Sequence, residues 1–492
     1  MKTYLALALT LLSPNFIFAQ KDAEPPAHRW LPEAMINIHD SVAVYLTGNG
    51  KEGDKNEHSI AIIDTKGVET GPEIPLPKNV FGIALFHGEL LAFYQPALKG
   101  ENREVRVIQV DLVHGKTGED KTVYSVSTPY TTDFHVERDK DEQFQGLLAR
   151  TSALKSKKED VDFLNSRKQR DYDLSTALSL TTLSPTLETH LVNLTTQATT
   201  GKFLAARMNG AGELFTVTGA VGTIVAEKYN PGETTPRKLS ETFLVHDNDS
   251  EDFVAHLDGL TGEALTLAVH YSKTRRTAAE TAYRFDFAAD KVYTAQEDVL
   301  DKDYYRALKA DTTQVAKVHS SNVRFIENLV PVSIVETQDY VAVCKEIQRI
   351  YTTTSTGGGM NTTIVHYLCE AAILSVYDRQ MNLLHSITID KSLDTYIASY
   401  PGINIHLDGD KLYAITTELS GAATFTEYAY TIDLQTGAFD KKKLRKSSWA
   451  KGSVSHPMYT FWLKDGLVAN YVWEMKFFGT KIRTSFFPAE YE

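Results

Sequence analysis

The sequence predicts an all-β protein made of about eight repeated four-stranded antiparallel units. The first observation behind this prediction is the alternation of apolar and polar residues in stretches of strand length. Tight turns rich in Gly, Asp and Asn separate these stretches, which is typical of β-hairpins. The third observation is that the same order of stretches and turns recurs along almost the whole chain, at a spacing of about 60 residues.

The clearest copy of the unit lies near the C-terminus. Residues 402–407 and 411–416 alternate around the turn Asp408-Gly409-Asp410. Residues 428–434 then turn at Gln435-Thr436-Gly437 into a fourth stretch. We label the four strands of such a unit a, b, c and d, in chain order.

The same turns place the other copies. Their expected strands and turns are residues 34–39, 42–46, 59–64 and 68–76 in the first unit; the turn 87–89 and strand 105–112 in the second; 134–138, 144–149, 174–183 and 187–194 in the third; the turns 209–212 and 230–232 in the fourth; 265–271, 282–287 and 291 onward in the fifth; 340–347, 369–377 and 382–389 in the sixth; and 458–463, 467–477 and 481–488 in the eighth.

The units resemble the blades of secreted bacterial β-propeller proteins in general, through turns such as Asp433-Leu434-Gln435-Thr436-Gly437. This resemblance implies a single propeller domain over residues 20–492, with eight or alternatively seven four-stranded blades. Two separate β domains are the other interpretation. The eighth unit has three strands, and an open ring leaves an unpaired edge. We therefore expect the mature N-terminus, near Trp30, to supply the missing strand. The resemblance implies a fold and no particular activity.

The first nineteen residues are typical of a secretory signal peptide. Lys2 precedes an apolar run over residues 5–12, and Ala19 occupies the position before an expected cleavage at Gln20. The run is too short to span a bilayer, which takes about 20 residues. We therefore expect an exported protein without a transmembrane segment, in the periplasm or outside the cell.

Charge and cysteine content limit the function classes. The net charge of -12 argues against a nucleic-acid partner, because such binding depends on neutralising phosphates with Lys and Arg. Cys344 and Cys369 are the only cysteines, and export would allow one disulfide between them or two buried thiols. No metal-ligand spacing and no cofactor motif occurs, so we expect neither a metal nor a cofactor.

In a propeller the b/c and d/a connections share one face, so the length of these connections is informative. The b/c segments 47–58, 151–172, 272–280 and 352–363 and several d/a segments are long, whereas the a/b turns are short. Loops on a rigid scaffold are where binding sites form most often. Six loop residues combine cationic and aromatic side chains suited to an anionic sugar or an acidic protein surface. They are Lys157, Arg167, Arg275, Tyr305, Tyr400 and Trp449.

A second group of candidates falls in or beside the expected innermost strands, where side chains can face the central channel. It comprises His135, Asp252, Arg324, His406 and His456. For each of them a hydrogen-bonded structural role is the competing interpretation.

Two functions remain open at this point. The leading hypothesis is a non-catalytic binding protein of a bacterial envelope that holds a glycan or a partner protein on its long-loop face. The alternative is a glycan-active hydrolase or lyase with its site at the mouth of the central channel. No sequence feature gives the oligomeric state.

Overall fold

A computed structural model describes most of the chain. The described residues are 30–38, 41–48, 58–64, 70–71, 73–97, 101–128, 132–139, 142–151, 177–194, 202–220, 223–242, 253–274, 277–300, 329–357, 360–389, 391, 393–395, 402–421, 424–448, 453–462, 467–475 and 482–490.

The described strands form eight antiparallel sheets, each built from consecutive strands. The first four sheets are β1 (Trp30–Ile38), β2 (Ser41–Gly48), β3 (His58–Asp64) and β4 (Ile74–Leu76); β5 (Val80–Phe86), β6 (Glu89–Tyr94), β7 (Asn102–Asp111) and β8 (Lys116–Ser127); β9 (Thr132–Arg138), β10 (Phe144–Thr151), β11 (Ala177–Leu183) and β12 (Thr189–Leu194); and β13 (Lys202–Met208), β14 (Leu214–Ala220), β15 (Thr223–Tyr229) and β16 (Arg237–Thr242).

The last four sheets include two whose outer strand is interrupted. They are β17 (Phe253–Thr261), β18 (Ala264–Thr274), β19 (Thr277–Asp286), β20 (Lys291–Thr294) and β21 (Asp298–Leu300); β22 (Leu329–Glu336), β23 (Tyr340–Gly357), β24 (Met360–Asp378), β25 (Leu383–Ile389) and β26 (Leu393–Thr395); β27 (Ile403–Asp408), β28 (Lys411–Gly421), β29 (Thr424–Asp433) and β30 (Phe439–Ser448); and β31 (Ser453–Trp462), β32 (Leu467–Met475) and β33 (Ile482–Glu490).

This arrangement confirms the predicted all-β propeller architecture. In seven sheets four strands follow one another in chain order, and the first strand of each sheet lies beside the first strand of the next, from β1 and β5 to β27 and β31. The a strands are therefore innermost. The structure shows seven four-stranded blades and a last sheet with three described strands. Closure of the ring is not shown.

Trp30 and Leu31 do not form the missing strand of the last sheet, and the residues before them, which were also expected there, lie outside the described residues. Trp30 and Leu31 belong to β1, where they pair with Gly48 and Thr47 of β2. The strand that begins at Trp30 thus belongs to the first blade. The expected signal peptide lies outside the described residues.

Apolar side chains pack between every two consecutive sheets for which the structure describes both faces. One cluster joins Phe215 of the fourth sheet to Leu267 and Phe285 of the fifth, and another joins Leu374 of the sixth to Ile405 of the seventh. Further clusters join sheets one and two, two and three, three and four, five and six, and seven and eight. Each sheet between two neighbours therefore buries both of its faces.

A buried ion pair stabilises the contact between the sixth and seventh sheets. The ammonium of Lys391 contacts Oε1 of Glu346, and both side chains are fully buried. The backbone amide of Gly402 donates to both carboxylate oxygens, at 2.8 and 3.0 Å. A Cβ at position 402 would lie 2.6 Å from Nζ of Lys391, so only glycine fits here without displacing the pair.

Two of the four expected long b/c loops are wrong, because the strands continue through them. β23 and β24 stay paired as far as Gly357 and Met360, so residues 352–363 are mostly a hairpin. β18 and β19 likewise pair as far as Thr274 and Thr277. The reason is local composition: Thr and other β-branched residues favour paired strands.

The disulfide that the sequence allowed is absent, and both cysteines are free and buried. They lie on paired strands of one sheet, as expected, but Cys344 is opposite Leu374 whereas Cys369 is opposite Gln348. Along β24, the position opposite Cys344 is residue 374, which is five residue steps from Cys369, or about 17 Å along the strand. A disulfide requires Cα atoms within about 7 Å.

We predict that breaking the buried ion pair strongly destabilises the protein. Lys391→Met should lower the free energy of unfolding by about 3–5 kcal/mol, because the Glu346 carboxylate would stay buried without its cation. The double variant Glu346→Gln/Lys391→Met should recover most of this loss, since it removes both charges and keeps an acceptor for the Gly402 amide. Urea denaturation measures the free energy of unfolding of wild type and of both variants. A loss below about 1 kcal/mol in the single variant would contradict the assignment.

We also predict two unreactive thiols. Burial raises the pKa of Cys369 to about 12 and raises the pKa of Cys344 as well, so neither forms a reactive thiolate in the folded protein. A thiol-specific reagent should label no cysteine in the native protein and two after unfolding without reductant. Absence of labelling after unfolding would mean that the cysteines are bridged.

Candidate functional site

A cavity of about 440 Å³ lies between the third and fourth sheets. We call it the 3–4 cavity. Its volume falls within the range of about 300–1,000 Å³ that small-molecule sites occupy. The lining combines apolar and charged side chains: Asp133, Phe134, His135, Glu137, Leu148, Arg150, Leu178, Leu204, Ala206 and Arg207. Most of them belong to β9 and β13, the innermost strands of the two sheets.

Strand geometry places three ionisable groups in a row. Asp133, His135 and Glu137 alternate along β9, and residues two apart share one face of a strand. Asp133 is near the start of β9, where the d/a connection enters, and Glu137 is near the a/b turn. The row therefore runs from the face that carries the b/c and d/a connections into the interior of the protein.

Glu137 is buried because the two sheets approach each other closely beside it. Its cross-strand partner is Gly146, and a Cβ there would lie 2.6 Å from Leu180 and 2.8 Å from the sulfur of Met208. The Glu137 side chain has no exposed surface. Among the described residues neither of its carboxylate oxygens accepts a hydrogen bond of ordinary geometry. A ligand in the cavity could therefore donate a hydrogen bond to this carboxylate.

The pKa of Glu137 lies near neutrality. Burial raises the pKa of this carboxyl to about 7, against the opposing effects of Arg207, the Met208 amide and Arg138. A buried carboxyl with few donors around it favours the protonated form, because loss of hydration penalises the charge. Glu137 can therefore either accept or donate a hydrogen bond near neutral pH.

His135 lies between Glu137 and the cavity mouth. Its Nε2 is 3.2 Å from Oε1 of Glu137, and 64% of its side chain is exposed. Partial burial, together with the positive charges of Arg207 and Arg138, lowers the pKa of His135. A neutral imidazole beside a carboxyl that titrates near 7 is an arrangement that can move a proton.

Arg150 and Arg207 supply the positive charge of the site. Nη2 of Arg150 lies 3.0 Å from Oδ2 of Asp133, its cross-strand partner, so this guanidinium faces a carboxylate at the cavity mouth. Arg207 of β13 also borders the cavity, and its charge acts on both His135 and Glu137. The cavity therefore combines bordering guanidinium groups with an imidazole of lowered pKa and a buried acid whose pKa is about 7.

Of the residues predicted from the sequence, His135 lies in this cavity. His406 has a different environment: its ring stacks on Trp462 of the last sheet, with centroids 5.2 Å apart and planes at 19°. Burial lowers the pKa of His406, which fits a neutral, packed ring. His456 belongs to β31. The other candidates lie outside the described residues, namely Lys157, Arg167, Arg275, Tyr305, Tyr400, Trp449, Asp252 and Arg324.

Sequence reasoning missed four of the five ionisable residues of the cavity. The polar alternation Asp133, His135, Glu137 in an innermost strand was the available signal, because an interior strand face is normally apolar. Arg150 could have been placed from its pairing with the start of the same strand. Arg207 gives no sequence signal, since its position depends on how the fourth sheet packs on the third.

Two features are missing from the described part of the chain. No group of three or more His, Cys, Asp or Glu side chains there is placed to hold a metal ion. No helix there is long and apolar enough to cross a membrane.

No protein-family model matches the chain, and no curated protein is significantly similar to it. Similar solved structures are propellers of diverse function. The WD40 domain of SCAP from fission yeast is 8% identical, with a TM-score of 0.38, over 95% of this chain and 93% of that one. A PL25 ulvan lyase is 9% identical, with a TM-score of 0.35, over 96% and 95%. The propeller domain of the Trilobed protease from Pyrococcus furiosus is 9% identical, with a TM-score of 0.38, over 85% and 96%. Similarity this low carries no argument about activity.

We predict that Glu137 makes the folded protein less stable as pH rises. Its folded pKa of about 7 exceeds the ordinary value of 4.5, so between these two pH values the folded state binds more protons than the unfolded state. Stability should therefore fall by at most about 3 kcal/mol from pH 5 to pH 8, at 1.36 kcal/mol per pKa unit.

Glu137→Gln should remove this dependence and melt at a higher temperature than wild type at pH 8, with little difference at pH 5. Glu188→Gln changes an exposed acid on the same sheet and serves as the control. Melting temperatures of wild type and both variants, measured at pH 5 and pH 8, test this prediction. Identical pH slopes in Glu137→Gln and wild type would show that this carboxyl titrates normally.

Proposed function

We propose that this protein binds a glycan, holding one sugar unit in the 3–4 cavity. The observation that carries the proposal is Glu137, a fully buried acid at the cavity wall whose carboxylate oxygens accept no hydrogen bond of ordinary geometry from the described residues, with Nε2 of His135 3.2 Å from Oε1. Native proteins seldom leave a buried polar group unsatisfied, because the cost is about 1–3 kcal/mol or more. Hydroxyl donors of a sugar would satisfy it.

The remainder of the lining supports the same ligand class. Leu148 and Leu178, which pack between the third and fourth sheets, provide apolar surface against which the C–H face of a sugar ring can pack. Asp133 and Arg150 provide an acceptor and a donor at the mouth. Small-molecule sites commonly combine an apolar lining with a few well-placed polar groups. The expected signal peptide supports a role in the envelope, where glycans are abundant.

A second candidate function is cleavage of the bound glycan. The observation in its favour is the contact between His135 and Glu137, in which burial lowers the pKa of one group and raises that of the other. Groups with pKa values displaced toward neutrality are suited to acid–base catalysis. Product formation would distinguish this candidate from binding alone.

We predict that glycan binding depends on Glu137. Wild-type protein on a glycan array should retain a set of related glycans, and Glu137→Gln should bind them at least tenfold more weakly, which corresponds to about 1.4 kcal/mol. Glutamine has nearly the same shape as glutamate, but its amide accepts hydrogen bonds at one oxygen only, whereas the carboxylate accepts at both. Calorimetry with one retained glycan measures the ratio.

Glu336→Gln is the matched control. Glu336 is also a buried acid whose oxygens accept no hydrogen bond of ordinary geometry among the described residues, and burial also raises its pKa, but it does not line the 3–4 cavity. Its variant should bind within twofold of wild type. Equal losses of glycan affinity in both variants would mean that the effect of Glu137→Gln is structural. Unchanged affinity in Glu137→Gln would mean that the glycan binds elsewhere on the protein. Mass spectrometry of the incubated glycan tests for cleavage.

A further inference from the structure

Glu137 differs from other buried acids of this protein in its neighbours. Four such acids in the described part of the chain have a lysine or arginine nitrogen within 3.7 Å of the carboxylate: Glu227 with Lys238, Glu280 with Lys345, Glu336 with Arg379 and Glu346 with Lys391. Among the described residues no lysine or arginine forms such an ion pair with Glu137, whose neighbour is the imidazole of His135 at 3.2 Å. The protein therefore supplies a cation to the other acids and leaves this one facing a cavity.

The arginines whose charges act on Glu137 lie on other strand faces. Phe215, the cross-strand partner of Arg207, packs between the fourth and fifth sheets, and cross-strand partners share a face. The side chain of Arg207 is therefore on the face of β13 that is turned away from the third sheet. Arg138 follows Glu137 directly in β9, so it lies on the opposite face of that strand, where it pairs with Glu142 at 2.6 Å.

The other charged groups near Glu137 at this interface form pairs of their own. They are Asp133 with Arg150 at the cavity mouth, at 3.0 Å, and Glu227 with Lys238 on the fourth sheet, at 2.8 Å. The lowered pKa of His135 favours its neutral form at pH 7. These groups balance one another, and Glu137 remains at the cavity wall as an acid without a counter-charge of its own.

We infer that the sugar held in the 3–4 cavity carries a primary amine, as an amino sugar does, and that its ammonium binds the carboxylate of Glu137 in the role that a lysine has beside other buried acids. The inference rests on the proposed glycan-binding function. Folding has already removed this carboxylate from water, so a ligand cation gains its attraction without that part of the desolvation cost. The three N–H donors of an ammonium could serve both oxygens, which accept no hydrogen bond of ordinary geometry from the described residues.

Proton linkage gives the inference a distinctive consequence. The pKa of Glu137 is about 7 without a ligand, and a neighbouring ammonium favours the ionised carboxylate. Binding should therefore release protons below pH 7, and affinity should rise by up to tenfold per pH unit from pH 5.5 to pH 7. Arg207 and Arg138 stay charged throughout this range. Protonation of His135 at its lower end would repel the ammonium, which acts in the same direction.

Two pairs of ligands in which an amine replaces one hydroxyl test the inference. They are methyl glucosaminide against methyl glucoside, and methyl galactosaminide against methyl galactoside, titrated by calorimetry and ligand-observed NMR at millimolar concentration. We expect the amino member of at least one pair to bind at least tenfold more tightly than its neutral partner at pH 7. Its proton release should appear as a dependence of the binding enthalpy on the ionisation enthalpy of the buffer.

Glu137→Gln should reduce the preference for the amino member to within twofold, whereas Glu336→Gln, which changes a buried acid away from the cavity, should leave it unchanged. The preference is a ratio within each variant, so a general loss of stability does not imitate the effect. Equal binding of both members in both pairs, or a preference that survives Glu137→Gln, would overturn this inference and leave the proposed glycan-binding function standing. Failure of all four ligands to bind would overturn the inference, and a glycan array on which Glu137→Gln changes nothing would overturn the proposed function separately.

Discussion

Burial of both faces of each sheet is the constraint on which the rest of this structure depends. In β10 two adjacent residues illustrate it: Leu147 packs toward the second sheet and Leu148 toward the fourth. A blade between two neighbours has no solvent-facing side on its inner strands, so alternate positions of one strand belong to different interfaces. Repetition of this packing builds the propeller, and a change at one inner-strand position directly affects the packing against one neighbouring sheet and not against the other.

The same constraint decides where polar groups can be tolerated. Between the fifth and sixth sheets Lys345 lies 2.8 Å from Glu280, so this acid is compensated across the interface. Glu346 is compensated by Lys391 of its own sheet and accepts hydrogen bonds from the Gly402 amide at the start of the seventh. Between the third and fourth sheets Glu137 faces an opening instead. Burying an ionised acid without a partner is costly, and the usual result is the upward pKa shift found here.

Local pattern made most of the fold predictable, since hairpin turns such as residues 209–212 and 408–410 lie where the sequence predicted them. Strand ends were less predictable. Whether residues 352–363 pair or loop depends on a register that is set by the rest of β23 and β24. The candidate site was predicted only through His135. Its other charged residues meet because two sheets pack together, and packing between blades is not encoded in the alternation of a single strand.

The β23–β24 hairpin continues well past the body of its sheet. From Tyr351 to Gly357 seven residues stay paired beyond the last contact with β26, which corresponds to a ribbon about 24 Å long. It leaves the sheet at its b/c end, the same end toward which the mouth of the 3–4 cavity is directed. On the proposed glycan-binding function, such an arm would hinder a broad, packed fibre from lying flush against this end of the protein. The proposal therefore favours a chain end or a single slender strand as the ligand.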